Sequence, residues 1–183
     1  MKKKIFALVL AMTLIVTLFS GCGSRNATDS SPGFFAEFES ETLDGKKVTE
    51  EIFKGNKVTM VNVWGVFCTY CIQEMPDLQK ISENYKKKGV RVIGVLCDTA
   101  DPMTGEDLPE KIQQAKEIVE MTGSEYTHIL TSDSLNKAKL NSVYSYPTTY
   151  FLNENGELIG TQFSGARDYE QWSAILDGIL EMA

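Results

Sequence analysis

Two rhythms of apolar residues run through the chain. From Lys57 to Trp64 the positions Val58, Met60, Val61, Val63 and Trp64 are nearly continuous, which predicts a strand covered on both faces, as in an open α/β sheet. Val90 to Cys97 predicts a second buried strand and Tyr126 to Leu130 a third. Between the first two, Ile72, Met75, Leu78, Ile81 and Tyr85 recur on one helical stripe, so a helix is expected from Cys68 to about Lys88. Pro76 lies inside it, removes one intrahelical bond and predicts a kink; Gly89 closes it. A further helix is expected from Glu106-Asp107 to about Met121, a short one over Ser134 to Leu140, and a closing one over Asp168 to Met182 with Trp172, Ile175, Leu176 and Ile179 inward. Asp44-Gly45 predicts an early hairpin turn, and Thr49 to Glu51 a short helical turn. Asn155-Gly156 predicts a late hairpin joining Thr148–Leu152 to Glu157–Phe163. The alternation of strands and helices is that of an α/β domain spanning residues 34–183.

The first 33 residues follow another logic. Three lysines precede an apolar run from Ile5 to Phe19, which ends in Ser20-Gly21-Cys22. That is an export signal, short for a membrane span and with small residues at its exit. Leu18 to Cys22 resembles the lipobox of bacterial lipoproteins, with Phe19 where that pattern usually has Leu, Val or Ile. The resemblance implies that residues 1–21 are a signal peptide and that Cys22 is diacylated as the mature N-terminus. Two acyl chains suffice for stable anchoring. A plain secretory signal with a spare Cys22 is the alternative. Residues 22–33 read as a flexible tether. Loss of the leader takes the formal net charge from −7 to −10, which argues against nucleic acid and against adsorption to anionic headgroups.

Chemistry concentrates in Cys68-Thr69-Tyr70-Cys71, at the junction of the central strand and its helix. Residues i and i+3 of a helix start share a face, so the two sulfurs can reach disulfide distance. The unpaired N–H groups of the first turn and the helix dipole favour a thiolate there. Zinc would need two further ligands, and the other candidates, Cys22, Cys97 and His128, lack paired spacing. With Cys22 acylated, Cys68, Cys71 and Cys97 remain, which suits a working dithiol better than a disulfide scaffold. Cys97 reads as a small buried hydrophobe, His128 as a structural histidine inside a strand, and the acidic run Asp98 to Asp107 as a solvated loop.

Several separate matches then carry a family resemblance. Asn62-Val63-Trp64 leads into the dithiol, Glu74-Met75-Pro76 follows it, and Tyr146-Pro147-Thr148-Thr149-Tyr150-Phe151 precedes Asn155-Gly156. Together they resemble the thioredoxin superfamily, and within it the TlpA/ResA-type membrane-anchored thiol–disulfide reductases. The resemblance implies a thioredoxin-like fold, a central mixed sheet flanked by helices. An extra N-terminal β-hairpin and a βα insertion between dithiol and proline would be added to it. It implies that Cys68 is the attacking thiolate, exposed at the helix tip, and Cys71 the more buried resolving thiol. Glu74 would raise the thiol pKa values and move a proton to or from Cys71; a solvated helix carboxylate is the alternative. Pro147 would be cis and present the Tyr146 backbone to an extended substrate chain, an ordinary trans turn being the alternative. Trp64 would pack beneath the motif and complete the substrate side.

The implied activity needs no cofactor or metal. It is reduction of disulfides in protein clients, such as apocytochromes or a methionine sulfoxide reductase, at the extracytoplasmic face of the cell membrane. A membrane electron donor of the CcdA type would supply the electrons. The family often has Pro where this chain has Tyr70 and Trp where it has Phe67, so the direction of electron flow rests on the resemblance alone. An oxidant or isomerase of the same fold is the nearest alternative. A Sco-like copper lipoprotein spaces its cysteines by three residues and supplies a histidine. A peroxiredoxin needs Pro and Thr where this chain has Val61 and Gly65, and c-type haem attachment needs His where it has Ile72.

Overall fold

The computed structural model describes residues 35, 37–101 and 103–183. The leader, the tether and Cys22 therefore lie outside the described residues. Five strands form one mixed sheet: β3 (Val58–Trp64), β4 (Val90–Leu96), β5 (Thr127–Leu130), β6 (Thr148–Leu152) and β7 (Phe163–Ser164), in the order β5-β4-β3-β6-β7. β3 runs parallel to β4, and β4 to β5, whereas β6 is antiparallel to both β3 and β7. This is the thioredoxin-like arrangement.

Every residue of β3 is buried, and alternation within the run explains why both faces are apolar. Val61 and Val63 point with Ile93, Val95, Ile129, Tyr150 and Leu152 into a cluster that Phe35, Phe38, Phe53 and Leu135 cover. Val58 and Met60 point the other way, with Val90, Val92 and Phe151, onto α1 (Thr69–Tyr85) and α4 (Tyr169–Met182). Trp64 and Leu96 continue that face beneath the dithiol and meet Ala115 and Ile118 of α2 (Pro109–Thr122). One polar row crosses this face, because Thr149, Asn62, Gly94 and His128 are register partners in turn. A Cβ on Gly94 would lie 2.4 Å from His128 Nδ1 and 2.9 Å from Trp64 Nε1, so this row admits only glycine there.

The early hairpin pairs β1 (Glu39–Glu41) with β2 (Lys47–Thr49) around Asp44-Gly45, where Gly45 has φ +75°. It docks on the free edge of β5 through the Leu43 N–H donating to the His128 carbonyl. A turn of 3-10 helix over Glu50–Phe53 follows.

The main departures from expectation have physical causes. α2 begins at Pro109, not at Glu106, because Glu106 and Asp107 are paired elsewhere: Ala100 bridges Asp107, and the Asp101 N–H donates to the Glu106 carbonyl at 2.8 Å. Proline at the first helical position then fits, since its missing N–H would be unpaired there anyway. α3 (Asp133–Ala138) starts a residue earlier than expected because Ser132 caps it, accepting the Leu135 N–H at 3.2 Å, and a separate 3-10 turn follows over Leu140–Ser142. The second arm of the late hairpin is not one strand. Leu158 bridges Leu152, but Phe163 pairs with Thr149, so two extra residues loop out near Gly160, whose φ is +71°. α1 runs unbroken through Pro76.

Candidate redox site

β3 leaves the sheet at Trp64, and the chain turns at Gly65 into α1. The Cys68 N–H donates to the Gly65 carbonyl at 3.0 Å, which closes the turn. Cys68 is the N-cap of α1, its Sγ accepting the Cys71 N–H at 3.2 Å. The two cysteines form a disulfide with their Cα atoms 5.3 Å apart. Cys71 is fully covered and Cys68 retains 7% exposure. The expectation of an exposed Cys68 is thus corrected: as a cap it folds its sulfur back over the first turn of the helix. The side chains on either side of it are the open ones, Phe67 at 59% and Tyr70 at 69%.

The Tyr146–Pro147 peptide bond is cis. The Tyr146 ring meets Phe67 edge to face at 5.5 Å and packs against the cluster that holds Cys68, Cys71 and Trp64. Its hydroxyl hydrogen-bonds the Cys97 thiol, and burial pushes both groups up to about 12. Cys97, one residue beyond β4, is half-buried: it packs against the edge of the cluster that holds Val61 and Val95 and meets the Tyr146 hydroxyl. Trp64 is fully enclosed, so it supports the dithiol from below and is out of reach of a protein client. His128 is buried, with Nε2 against the Ser124 carbonyl at 3.1 Å, and burial holds its ring well below the usual range, at about 4.

Glu74 lies one turn beyond Cys71 and is 3% exposed, not solvated. Asn62 Nδ2 donates to its Oε1 at 2.8 Å, and the Arg167 N–H and Trp172 Nε1 donate to its Oε2 at 3.0 and 3.3 Å. Burial raises its pKa to about 7, against the lowering effect of those three donors and of the Arg167 guanidinium. A carboxyl near neutrality, next to a dithiol, can take or give a proton at working pH. Asn62, Arg167 and Trp172 were not identified from the sequence as its partners. A lone Asn inside an otherwise apolar strand is the signal that could have found one of them, since a buried amide needs a partner.

Residues 33–160 match the model of the AhpC/TSA family. The chain belongs to that family. Its sequence is 27% identical over 182 residues to the thiol-disulfide oxidoreductase ResA of Bacillus cereus, covering 96% of this chain and 93% of that one. Among solved structures, a thiol:disulfide interchange protein of the thioredoxin family from Chlorobium tepidum superposes with a TM-score of 0.65. The two are 20% identical, and the match covers 83% of this chain and 99% of that one. StoA from Bacillus subtilis superposes with a TM-score of 0.58 at 20% identity, covering 76% and 96%. These two establish the fold. With the Cys68–Cys71 disulfide and the ResA relationship, the protein is a thiol-disulfide oxidoreductase of the ResA type. Within the family it keeps Val61 and Gly65 where a peroxidatic site would have Pro and Thr. A Cβ on Gly65 would lie 2.6 Å from the Phe67 ring and 3.2 Å from Asp98 Cγ, so a larger residue there would have to displace the exposed Phe67 side chain.

Proposed function

We propose that the protein works as a reductase of disulfides in client proteins outside the cytoplasm, held at the membrane by lipid on Cys22. The Cys68 thiolate attacks a client disulfide, forming a mixed disulfide and releasing one client thiolate. Cys71 then attacks the Cys68 sulfur, releases the second client thiolate and leaves the Cys68–Cys71 disulfide. Two electrons pass from the dithiol to the client, and a membrane donor of the CcdA type returns them. Glu74 accepts the proton that Cys71 must lose before it can attack. The cis Tyr146–Pro147 segment receives the client backbone, and Phe67 and Tyr70 give it an apolar rim. Apocytochrome thiols or a methionine sulfoxide reductase are the clients this reading favours.

The single observation that carries the reading is the buried, half-ionisable Glu74 one turn from the resolving cysteine. A strong oxidant gains from a stabilised Cys68 thiolate, whereas a reductase needs Cys71 deprotonated on demand. Cys71→Ser should trap clients on Cys68 as mixed disulfides under native expression, and an empty trap would overturn the proposal. A reduction potential near the roughly −120 mV of DsbA would reverse the direction. The anchor has its own test: Cys22→Ser should move the protein from the membrane to the soluble fraction. No described helix is long and apolar enough to cross a membrane.

A further inference from the structure

Asp98 belongs to the acidic run that reads as a solvated loop, yet its side chain is only 17% exposed. The Cys97 N–H donates to the Trp64 carbonyl at 2.9 Å, which keeps β3 and β4 together one residue past their pairing. The next residue, Asp98, turns its carboxylate under the Gly65–Cys68 turn, where Oδ1 accepts the Val66 N–H at 3.1 Å. Its other oxygen, Oδ2, is buried without a hydrogen-bond donor. Lys111 Nζ, from the first turns of α2, stands 3.7 Å from that oxygen. The same carboxylate acts electrostatically on Cys97 and on Tyr146, beside the cis proline.

We infer that Asp98 is a positioning residue for the dithiol: it grips the Cys68 turn through Val66 and, together with Lys111, sets how readily the Cys68–Cys71 pair is oxidised. A negative charge against the turn that leads into α1 offsets the positive end of the helix dipole and disfavours a thiolate on the capping cysteine. Only the reduced form can carry that thiolate, so the charge shifts the couple toward the disulfide and makes the dithiol a better electron donor. Lys111 offsets part of that charge. The inserted helix α2 thereby acts on the redox site without touching the sulfurs.

The inference rests on the Cys68–Cys71 couple and not on which way electrons flow in the cell. The test is equilibration of the full-length protein with glutathione, in which the protein disulfide and two glutathione thiols exchange for the protein dithiol and one glutathione disulfide. Asp98→Asn keeps an oxygen for the Val66 N–H and removes the charge; it should move the equilibrium about threefold to tenfold toward the dithiol, tenfold being about 30 mV. Lys111→Met leaves the carboxylate without its counter-charge and should move the equilibrium about twofold the opposite way. Shifts of the same sign, or no shift in either variant, overturn the inference. If Asp98→Asn does not fold, Lys111→Met decides alone, since its side chain is partly exposed and its loss leaves the turn intact. A wild-type protein that fails to exchange with glutathione through Cys68 and Cys71 would instead refute the oxidoreductase reading itself.

Discussion

Glu74 and Asp98 approach one dithiol from different elements, and their surroundings differ in kind. Glu74 sits on α1 among donors that are all neutral, an amide, an indole and a backbone N–H, under nearly complete burial. Asp98 sits past β4 with one backbone N–H, a lysine ammonium and partial access to water. Neutral donors orient a carboxyl but do not repay the loss of hydration when it ionises, so burial prevails at Glu74 and brings its proton within reach of neutral pH. At Asp98 a lysine ammonium stands 3.7 Å from the buried carboxylate oxygen. One site therefore provides a proton partner and the other a carboxylate–ammonium pair beside the Cys68 turn.

The largest break in that comparison should come from Glu74→Gln. The amide preserves the size of the side chain but cannot accept a proton from Cys71, so kcat/KM for a disulfide substrate should fall by about 10²-fold, the usual scale for lost acid–base assistance. The limb near pH 7 in the pH–rate profile should vanish with it. A profile that keeps this limb would assign it to a cysteine and remove Glu74 from the mechanism.

Stability should report the same burial with a defined sign. Burial raises the folded carboxyl from its ordinary 4.5 to about 7. Between those values the folded chain holds a proton that the unfolded chain has lost. The contribution is thus fully present below about pH 4.5 and is lost as pH rises through 7. The span corresponds to at most about 3 kcal/mol, or up to roughly 10 °C in midpoint for a domain of this size. Thermal unfolding at pH 5 and pH 8 should show the wild type losing more on alkalinisation than Glu74→Gln. Equal losses would mean that water reaches the carboxyl in solution.

The asymmetry between the two carboxylates also marks how far the sequence could be read. Continuous apolar runs announced β3 and β4, and the spacing of Cys68 and Cys71 announced their chemistry, because both are local. The environment of Glu74 is assembled from Asn62, Arg167 and Trp172, residues 12, 93 and 98 positions away. No periodicity encodes that meeting. Resemblance singled out Glu74, but its burial had to come from the packing of α1 against α4. Asp98 was misread for the opposite reason: among acidic neighbours it looks like the start of a solvated loop, and only the parallel pairing of β3 with β4 turns it inward. The bulge near Gly160 and the start of α2 at Pro109 were lost in the same way, to long-range pairing that overrides turn signals.

Asn62 separates orientation from burial. Its Nδ2 serves both Glu74 and Thr149, the latter at 3.1 Å. Asn62→Ala should cost about 1–3 kcal/mol, the scale for leaving buried acceptors without a donor. With one lowering influence gone, the Glu74 limb should also move above pH 7. Denaturant unfolding and the pH–rate profile measure the two effects separately, and a loss of stability with an unmoved limb would show that the proton is held elsewhere.

The smallest expected effect sits on the other carboxylate, and its smallness is the point. Lys111 and Asp98 are 33% and 17% exposed and 3.7 Å apart, beyond hydrogen-bond distance. An ion pair so placed contributes about 0–1 kcal/mol, because water screens it and the lysine chain loses entropy in forming it. Lys111→Met should therefore shift the thermal midpoint by no more than about 4 °C, less than the span set by the Glu74 carboxyl, although it moves the glutathione equilibrium. If the midpoint instead falls as far as in Asn62→Ala, the pair is structural, Asp98 is as sequestered as Glu74, and the two carboxylates do not divide the work between an ion pair and a mobile proton.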